Sequence, residues 1–162
     1  MITLPITAEQ VERASELYPF DALENSITKG GSQIYGAMGE VVFGDFYSDR
    51  YERKDTYDYD FWNPRNGTTV DVKTKRTTAV PRGNWNCSVA AFNTRQACDY
   101  YFFVRVMEDL STAFLLGYLG KEEFYEMADF RKKGEPDPLK KGWKFTADCY
   151  NIPISKLHSV VL

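Results

Sequence analysis

The chain has 162 residues, of which 43% are hydrophobic, 15% aromatic and 27% charged, and its formal net charge is −3. This length and composition predict one folded domain over residues 1–162 and exclude a fibrous or intrinsically disordered chain. The three cysteines form no close pair and His158 is the single histidine, which excludes the usual zinc spacings and leaves carboxylates and lysine as the main chemistry available.

A first helix is predicted near the start of the chain. Thr7, followed three residues later by Gln10, forms a capping box, and the helical spacing of apolar residues continues to about Tyr18. Residues 24–31 are predicted to form a loop, which lacks the Gly-Lys-Ser/Thr ending of a phosphate-binding loop. A nucleotide hydrolase is therefore disfavoured.

A second helix is predicted to begin at Ser32. Its apolar side chains recur at helical spacing and form one face: Ile34, Ala37, Met38, Val41, Val42 and Phe46. Gly36 and Gly39 are poor helix formers, so their presence predicts that another segment approaches this helix closely. Glu40 lies at the edge of the apolar face, where an exposed glutamate is the ordinary interpretation.

The most distinctive pattern is a hairpin around Asn66-Gly67, a dipeptide that strongly favours a tight turn. On the second strand Val70 and Val72 point to one face, because successive side chains of a strand leave opposite sides. The opposite face is charged: Asp71, Lys73 and Lys75. On the first strand two apolar residues alternate with two acids: Tyr59 and Phe61 with Asp58 and Asp60. Closing the hairpin with its apolar side inward gathers carboxylates and ammonium groups on one small face.

Two interpretations of this charged face are open. An ordinary half-buried antiparallel strand carries its charged residues on the face that is in water. A reactive site instead requires that the carboxylates converge. Asp58 and Asp60 share a face by strand parity, but Asp60 is two residues nearer to the turn, so we expect Asp60 to be the acid that faces Asp71 or its neighbours.

Asp60 on one strand, the Asp71-x-Lys73 pair on the next and a preceding helix with Glu40 resemble the PD-(D/E)XK nuclease superfamily, which includes many restriction, repair and phage endonucleases. The resemblance covers roughly residues 32–106, in the order helix with acid, strand with Asp, strand with Asp-x-Lys, helix and strand. No proline precedes Asp60, which departs from the superfamily's pattern. The resemblance implies an α/β fold in which helices flank a mixed central sheet of about five strands, the restriction-endonuclease-like core.

The resemblance also implies a metal-dependent endonuclease or exonuclease that hydrolyses DNA phosphodiester bonds. Asp60, Asp71 and the Val72 carbonyl would hold Mg²⁺ or Mn²⁺, cations that prefer oxygen ligands. Glu40 would bind through water or complete a second metal site. Lys73 would orient the attacking water or help to deprotonate it.

The stretch that follows the hairpin is basic although the whole chain is acidic. Residues 61–107 contain seven Lys or Arg against two Asp, and no acidic residue lies between Asp71 and Asp99. Such a stretch is the local footprint that a phosphate backbone requires. Four cations are predicted to contact DNA: Lys75, Arg76, Arg82 and Arg95. The alternative is a basic loop without a ligand.

The rest of the chain alternates between strand and helix patterns. The apolar run at 100–106 predicts a strand covered on both faces. Gln96 and Tyr100 have the Gln-x-x-x-Tyr spacing of an exonuclease branch of the superfamily, but Tyr100 is predicted to open this strand and so to lie off the helix. Pro153 places the last strand at a sheet edge. The other predicted segments are a strand at 85–89, a short helix at 93–99, a strand at 112–119, a helix at 122–130 and a loop at 131–142.

Three further expectations concern location, partners and the main alternative. No apolar run approaches the roughly 18 residues of a membrane span, and no apolar signal follows a basic start, so we expect a cytoplasmic protein without a membrane partner. A homodimer is common among small nucleases because two sites are needed to cut two strands, but the sequence reveals no interface. The main alternative function is a non-catalytic DNA-binding domain that retains the nuclease core.

Overall fold

The computed structural model describes residues 1–17, 33–139 and 141–161. The α-helices of these residues are α1 (Ala8–Leu17), α2 (Gln33–Phe46) and α3 (Lys121–Met127). The strands are β1 (Ile2–Pro5), β2 (Glu52–Arg53), β3 (Phe61–Trp62), β4 (Thr69–Thr77), β5 (Asn86–Ala90), β6 (Tyr100–Met107), β7 (Thr112–Gly120), β8 (Asp129–Arg131) and β9 (Cys149–Pro153). Short 3₁₀ helices are formed by Ala91–Arg95 and Ile154–Lys156.

Six strands form one mixed sheet in the order β1-β7-β6-β4-β3-β2. Its centre is the parallel pair β4 and β6, in which Asp71 lies opposite Tyr101 and Lys75 opposite Arg105. The other neighbours in this sheet are antiparallel. β5, β9 and β8 form a second, antiparallel sheet. The predicted α/β class and mixed sheet are confirmed, with six strands in the main sheet where about five were expected.

The main sheet separates two hydrophobic cores. Helices α1 and α2 cover the first core, while α3, β5 and β9 cover the second. β6 supplies alternate residues to the two cores: Phe102, Val104 and Val106 to the first, and Tyr101 and Phe103 to the second. The apolar run at 100–106 is therefore confirmed as a strand covered on both faces, because side chains of a strand leave alternate sides.

The predicted hairpin is present, but its first strand is short. Only Phe61 and Trp62 pair with β4, opposite Val70 and Thr69. The turn is closed by a hydrogen bond of 2.8 Å from the Gly67 N–H to the Asn63 carbonyl. Gly67 has a φ of +76°, which glycine adopts without steric cost.

The first strand does not keep the face assignment that alternation predicted. Phe61 packs in the first core, whereas Tyr59 packs against the second. The reason is a second reversal just before β3, where the Thr56 N–H donates to the Tyr59 carbonyl at 3.0 Å. Alternation requires a continuous extended strand, and here the strand begins only at Phe61.

The predictions for the two N-terminal helices are confirmed where the structure describes them. The Thr7 N–H donates to Gln10 Oε1 at 3.0 Å and the Gln10 N–H donates to Thr7 Oγ1 at 3.2 Å, which is the capping box. The end of the first helix near Tyr18, the loop at 24–31 and the start of the second helix at Ser32 lie outside the described residues.

The close approach predicted for the glycines of α2 is confirmed at one of them. A Cβ atom on Gly39 would lie 1.8 Å from Thr74 Oγ1, so only glycine lets α2 pack this closely against β4. At Gly36 a Cβ atom would meet nothing within 4 Å, so the prediction was wrong there. The Gly39 contact sets the distance between the neighbouring Glu40 and the sheet.

Three other local predictions were wrong. The helix expected at 122–130 ends at Met127, and Asp129–Arg131 form the strand β8. The helix expected at 93–99 is instead the 3₁₀ helix Ala91–Arg95. The strand with Pro153 is not an edge strand, because β9 lies between β5 and β8. β8 pairs with β9 only as far as Asn151, so no residue of β8 lies opposite Pro153. The N–H that proline lacks therefore removes no hydrogen bond between β8 and β9.

Among the described residues, no helix combines the length and the apolar character that crossing a membrane would require.

Candidate active site

Asp60 joins the two strands of the hairpin just before β3 begins. Its N–H donates to the Val70 carbonyl at 3.0 Å, and its Oδ2 atom accepts a hydrogen bond of 2.7 Å from the Val72 N–H. The second bond joins Asp60 to the middle residue of the Asp71-x-Lys73 pair. The Asp60 carboxyl group is therefore held in a fixed, partly buried position beside β4.

The environment of Asp60 opposes its negative charge. Burial, followed by the charges of Asp71 and Glu40, raises the pKa of Asp60 to about 8. The hydrogen bond from Val72 and the charge of Lys73 act in the opposite direction but do not restore the usual value. Carboxyl groups that share a site in this way take up protons unless a cation compensates them.

Asp71 and Lys73 form a buried ion pair on the side of β4 that faces away from α2. Lys73 Nζ lies 2.6 Å from Asp71 Oδ2, and the two side chains are 5% (Asp71) and 17% (Lys73) exposed. The interpretation that the charged face of the strand is exposed to water is therefore wrong for Asp71 and Lys73. The 2.6 Å contact is an ion pair that lacks the geometry of a hydrogen bond, because the buried Oδ2 atom receives no hydrogen bond.

Gln96 connects the two members of this ion pair. Its Nε2 atom donates to Asp71 Oδ1 at 3.0 Å, and its Oε1 atom accepts from Lys73 Nζ at 3.0 Å. The same Nε2 atom also donates to the Tyr57 carbonyl at 3.0 Å, which links the segment before Asp60 to β4. The sequence analysis did not include Gln96 in the site, because the Gln-x-x-x-Tyr spacing requires Tyr100 to lie on the helix; Tyr100 opens β6 as predicted.

Glu40 approaches Asp60 from the opposite side, on α2. It is buried, unlike the ordinary exposed glutamate, and its Oε2 atom lies 2.6 Å from Arg53 Nη2. The same Arg53 nitrogen lies 3.6 Å from Asp55 Oδ2. Arg53 therefore supplies positive charge between two of the acids near Asp60.

Three carboxylates could hold one cation in this region. One oxygen each from Glu40, Asp55 and Asp60 lies within 4.8 Å of the other two. Asp55 was missed by the sequence analysis because it lies in the irregular turn after β2, where no periodicity applies. Its φ of +52° marks that turn in the structure, but the sequence carries no signal of it beyond an acid five residues before Asp60.

The residues present fit a hard divalent cation. The donor atoms are carboxylate oxygens, which are the ligands that Mg²⁺ and Mn²⁺ prefer. The pKa of Asp60 is raised by burial and then by the charges of Asp71 and Glu40, which is the sign of a carboxyl group that is short of positive charge.

Asp58 lies outside this acidic group. Its Oδ1 atom accepts a hydrogen bond of 3.0 Å from the Ala97 N–H, just beyond the 3₁₀ helix Ala91–Arg95. The structure thus brings Asp60 to Val72 and Glu40, and it turns Asp58 toward a different part of the chain.

The four cations expected to contact DNA do not all lie on one side of β4. Arg76 pairs with Glu108 at 2.7 Å and stacks near Tyr35 of α2, on the opposite side of β4 from Lys75. Arg82 lies in the loop before β5 and Arg95 ends the 3₁₀ helix, and both are exposed. Lys75 is on the face that carries Lys73 and donates to Ser88 Oγ at 3.3 Å.

No family model matches the sequence, and no curated protein is significantly similar to it.

Proposed function

We propose that the protein is a metal-dependent nuclease that hydrolyses DNA phosphodiester bonds. The observation that carries this proposal is the position of the Asp60 carboxyl group, which is bound to the Val72 N–H and repelled by both Glu40 and Asp71. One oxygen each of Glu40 on α2, Asp55 after β2 and Asp60 before β3 lies within 4.8 Å of the other two, which has a free-energy cost. A site that binds a cation and a phosphate explains why that cost is tolerated.

The order of elements supports a restriction-endonuclease-like core. Glu40 is on α2, Asp60 precedes β3, and Asp71 and Lys73 are on β4. A short 3₁₀ helix and the parallel strand β6 follow. This order matches the helix, strand, strand, helix and strand that the resemblance implies only if β2, which precedes Asp60, and β5, which lies between β4 and the 3₁₀ helix, are treated as insertions.

Four carboxylates and one carbonyl are the proposed metal ligands. Glu40, Asp60, Asp71 and the Val72 carbonyl follow the resemblance, and Asp55 is added because its oxygen lies within 4.8 Å of those of Glu40 and Asp60. Mg²⁺ or Mn²⁺, when bound, would stabilise the negative charge that develops on the phosphate.

Lys73 is the proposed residue that positions the attacking water. Its ammonium group is held by Asp71 at 2.6 Å and by Gln96 at 3.0 Å, and it lies 5.6 Å from the centre of the Tyr101 ring. Three contacts leave a flexible side chain little freedom, which is what an orienting group requires. Gln96 acts through Lys73 and Asp71 as a positioning residue.

A non-catalytic DNA-binding domain is the second candidate, and a specific observation favours it. Arg53 pairs with Glu40 at 2.6 Å and Lys73 pairs with Asp71 at 2.6 Å. These internal cations compensate two of the acids without any metal ion. A domain that had lost its metal would be stabilised by such ion pairs.

The two candidates are separated by a cleavage assay on supercoiled and single-stranded DNA with Mg²⁺, Mn²⁺ or EDTA. We expect cleavage by the wild type only with a metal, and a loss of at least 100-fold for Asp60→Asn. Asp58→Asn is the matched control, since it removes an acid two residues away whose contact is with the Ala97 N–H. Binding of DNA without cleavage under any of these conditions would select the non-catalytic candidate.

A further inference from the structure

A second polar region lies beyond Lys73 on the same face of β4. It is a cavity of about 180 Å³ between β4, β5 and β6. The side chains that give it its charge are Lys73, Lys75 and Arg105, and the cavity has no acidic residue in its lining. With about 30 Å³ per water molecule, the volume is sufficient for several waters or for a group with four oxygens.

Lys75 and Arg105 are direct partners across the parallel strands β4 and β6. Adjacent strands are about 4.8 Å apart, and like charges placed directly opposite each other destabilise a sheet. Arg105 is only 7% exposed, and buried charges are normally paired with an opposite charge. This pair of cations therefore requires an explanation.

Neutral groups provide the only close contacts of these cations among the described residues. Arg105 Nη2 donates to the Asn86 carbonyl at 2.8 Å, and the guanidinium lies 5.1 Å from the centre of the Trp85 ring. Lys75 Nζ donates to Ser88 Oγ at 3.3 Å. Within the described ranges, no carboxylate lies at ion-pair distance from either cation.

The titratable neighbours of this pair do not remove its positive charge. Burial raises the pKa of the Cys87 thiol to about 12, so this group stays neutral. The pKa of Lys75 is lowered, first by desolvation of its amine and next by the charge of Arg105, whereas Cys87, Cys149 and Asp137 act in the opposite direction. Burial also lowers the pKa of Arg105.

We propose that this cavity binds a phosphate group through Lys75 and Arg105. A phosphate carries negative charge on oxygens that accept hydrogen bonds from both an ammonium and a guanidinium group. Placed between the two strands, it would remove the repulsion between the directly opposed cations. The guanidinium nitrogens of Arg105 that donate to no described residue and the solvent-exposed side of Lys75 provide the contacts.

Two sources of phosphate share this chemistry, which are free phosphate and a phosphate group of a DNA strand. Lys75 is two residues from Lys73 on the same face of β4, or about 6.6 Å along the strand. If the proposed nuclease function is correct, the cavity holds a DNA phosphate beside the one that is cleaved. Only this choice of source rests on the proposed function.

The binding of inorganic phosphate is to be measured by calorimetry in EDTA, at constant ionic strength and against chloride. We expect binding by the wild type and at least tenfold weaker binding by Lys75→Met and by Arg105→Met. Lys156→Met, which removes an exposed lysine of the 3₁₀ helix Ile154–Lys156, is the matched control and should bind as the wild type does. Should Arg105→Met fail to fold, Lys75→Met decides the result.

A fluorescent single-stranded oligonucleotide, also in EDTA, distinguishes the two sources. Weaker binding of both phosphate and oligonucleotide by Lys75→Met would identify a DNA phosphate, whereas unchanged oligonucleotide binding would identify free phosphate. The cavity proposal is overturned if the wild type binds no phosphate, or if Lys75→Met binds it as tightly as the wild type. Because EDTA prevents metal-dependent cleavage, a wild type that shows Lys75-dependent binding but never cleaves DNA would contradict the nuclease and not the cavity.

Discussion

Two regions on one face of β4 carry charge in opposite ways. In the first, Lys73 is paired with Asp71 at 2.6 Å and joined to Gln96 at 3.0 Å. In the second, two residues further along β4, Lys75 lies opposite Arg105. Neither Lys75 nor Arg105 forms an ion pair in the part of the chain that is described. The two lysines have the same strand, the same face and the same chemistry, so their difference comes entirely from what the tertiary structure places against them.

One charged face of a strand can therefore have excess negative charge beside one residue pair and excess positive charge at the next. The region of Asp71 and Lys73 lies beside excess carboxylate, as the raised pKa of Asp60 indicates, and would attract a cation. The region of Lys75 and Arg105 has excess positive charge and would attract an anion. Under the proposed function, a phosphodiester with its metal ion would need both.

Removing Lys73 should have the largest effect on stability. Lys73→Met leaves the Asp71 carboxylate buried without its ion-pair partner, which in other proteins costs about 3–5 kcal/mol. We expect a loss near the lower end, about 3 kcal/mol, because Lys73 is itself 17% exposed. Urea unfolding in EDTA measures this loss, and the same variant should not cleave DNA.

The matched control for that experiment is Lys75→Met, which makes the same chemical change two residues away. If both variants lost the same stability, the difference between the two regions would not exist.

Displacing α2 should break the acidic region specifically. Gly39→Ala puts a Cβ atom 1.8 Å from Thr74 Oγ1, so α2 must move away from β4 and carry Glu40 with it. We expect a loss of about 1–3 kcal/mol, the usual cost of overpacking, together with a weaker response of the melting temperature to Mg²⁺.

Gly36→Ala is the control within the same helix, since its Cβ atom meets nothing within 4 Å. It should be neutral or stabilise the protein by up to about 1 kcal/mol, because alanine favours a helix over glycine. Equal losses for the two alanine variants would contradict the close contact at Gly39.

The charge of Asp60 can be tested through pH. The folded-state pKa is about 8 and the ordinary pKa of an aspartate is 3.8, so between these pH values the folded state binds a proton that the unfolded state has lost. Stability in EDTA should therefore fall as the pH rises from about 4 to about 8. Asp60→Asn should remove this decline and be more stable than the wild type at pH 9 by at least about 1.4 kcal/mol, the value of one pKa unit.

The matched control is Asp58→Asn, which should keep the decline because it leaves Asp60 in place; Asp58 Oδ1 accepts from the Ala97 N–H. A wild type whose stability did not decline over this interval would show that Asp60 is ionised in the folded protein without a metal.

The smallest effect is expected for Lys75→Met without phosphate. Removing one of two directly opposed cations should raise the free energy of unfolding by about 0.2–1 kcal/mol, the range measured for cross-strand pairs. Chemical denaturation in phosphate-free buffer checks this. A loss of stability greater than 1 kcal/mol would mean that Lys75 has a structural partner and that the second region is compensated after all.

Local patterns were sufficient to predict much of the scaffold. The capping box of α1, the turn at Gly67 and the doubly covered strand β6 depend on neighbouring residues or on strand period, and each is present. The choice of Asp60 over Asp58 rested on nearness to the turn. The structure agrees in placement, because Asp60 and not Asp58 accepts the Val72 N–H.

The contacts that give the candidate site its character come from distant or irregular segments. Gln96 reaches Asp71 across 25 positions of the chain, and its partner Tyr57 lies in a turn. Arg53 and Asp55 belong to the short strand β2 and the irregular turn after it. No periodicity relates such residues to Asp60, so no reading of local spacing could have assembled them.

By itself the sequence determined that Asp71, Lys73 and Lys75 share one face of β4, because alternation is a property of the extended backbone alone. Only the tertiary structure decided what meets each of them. The fold places Gln96 beside Lys73, α2 with Glu40 on the far side of Asp60, and Arg105 opposite Lys75. These are long-range contacts, and whether a charge is paired or opposed depends on them and not on its own strand.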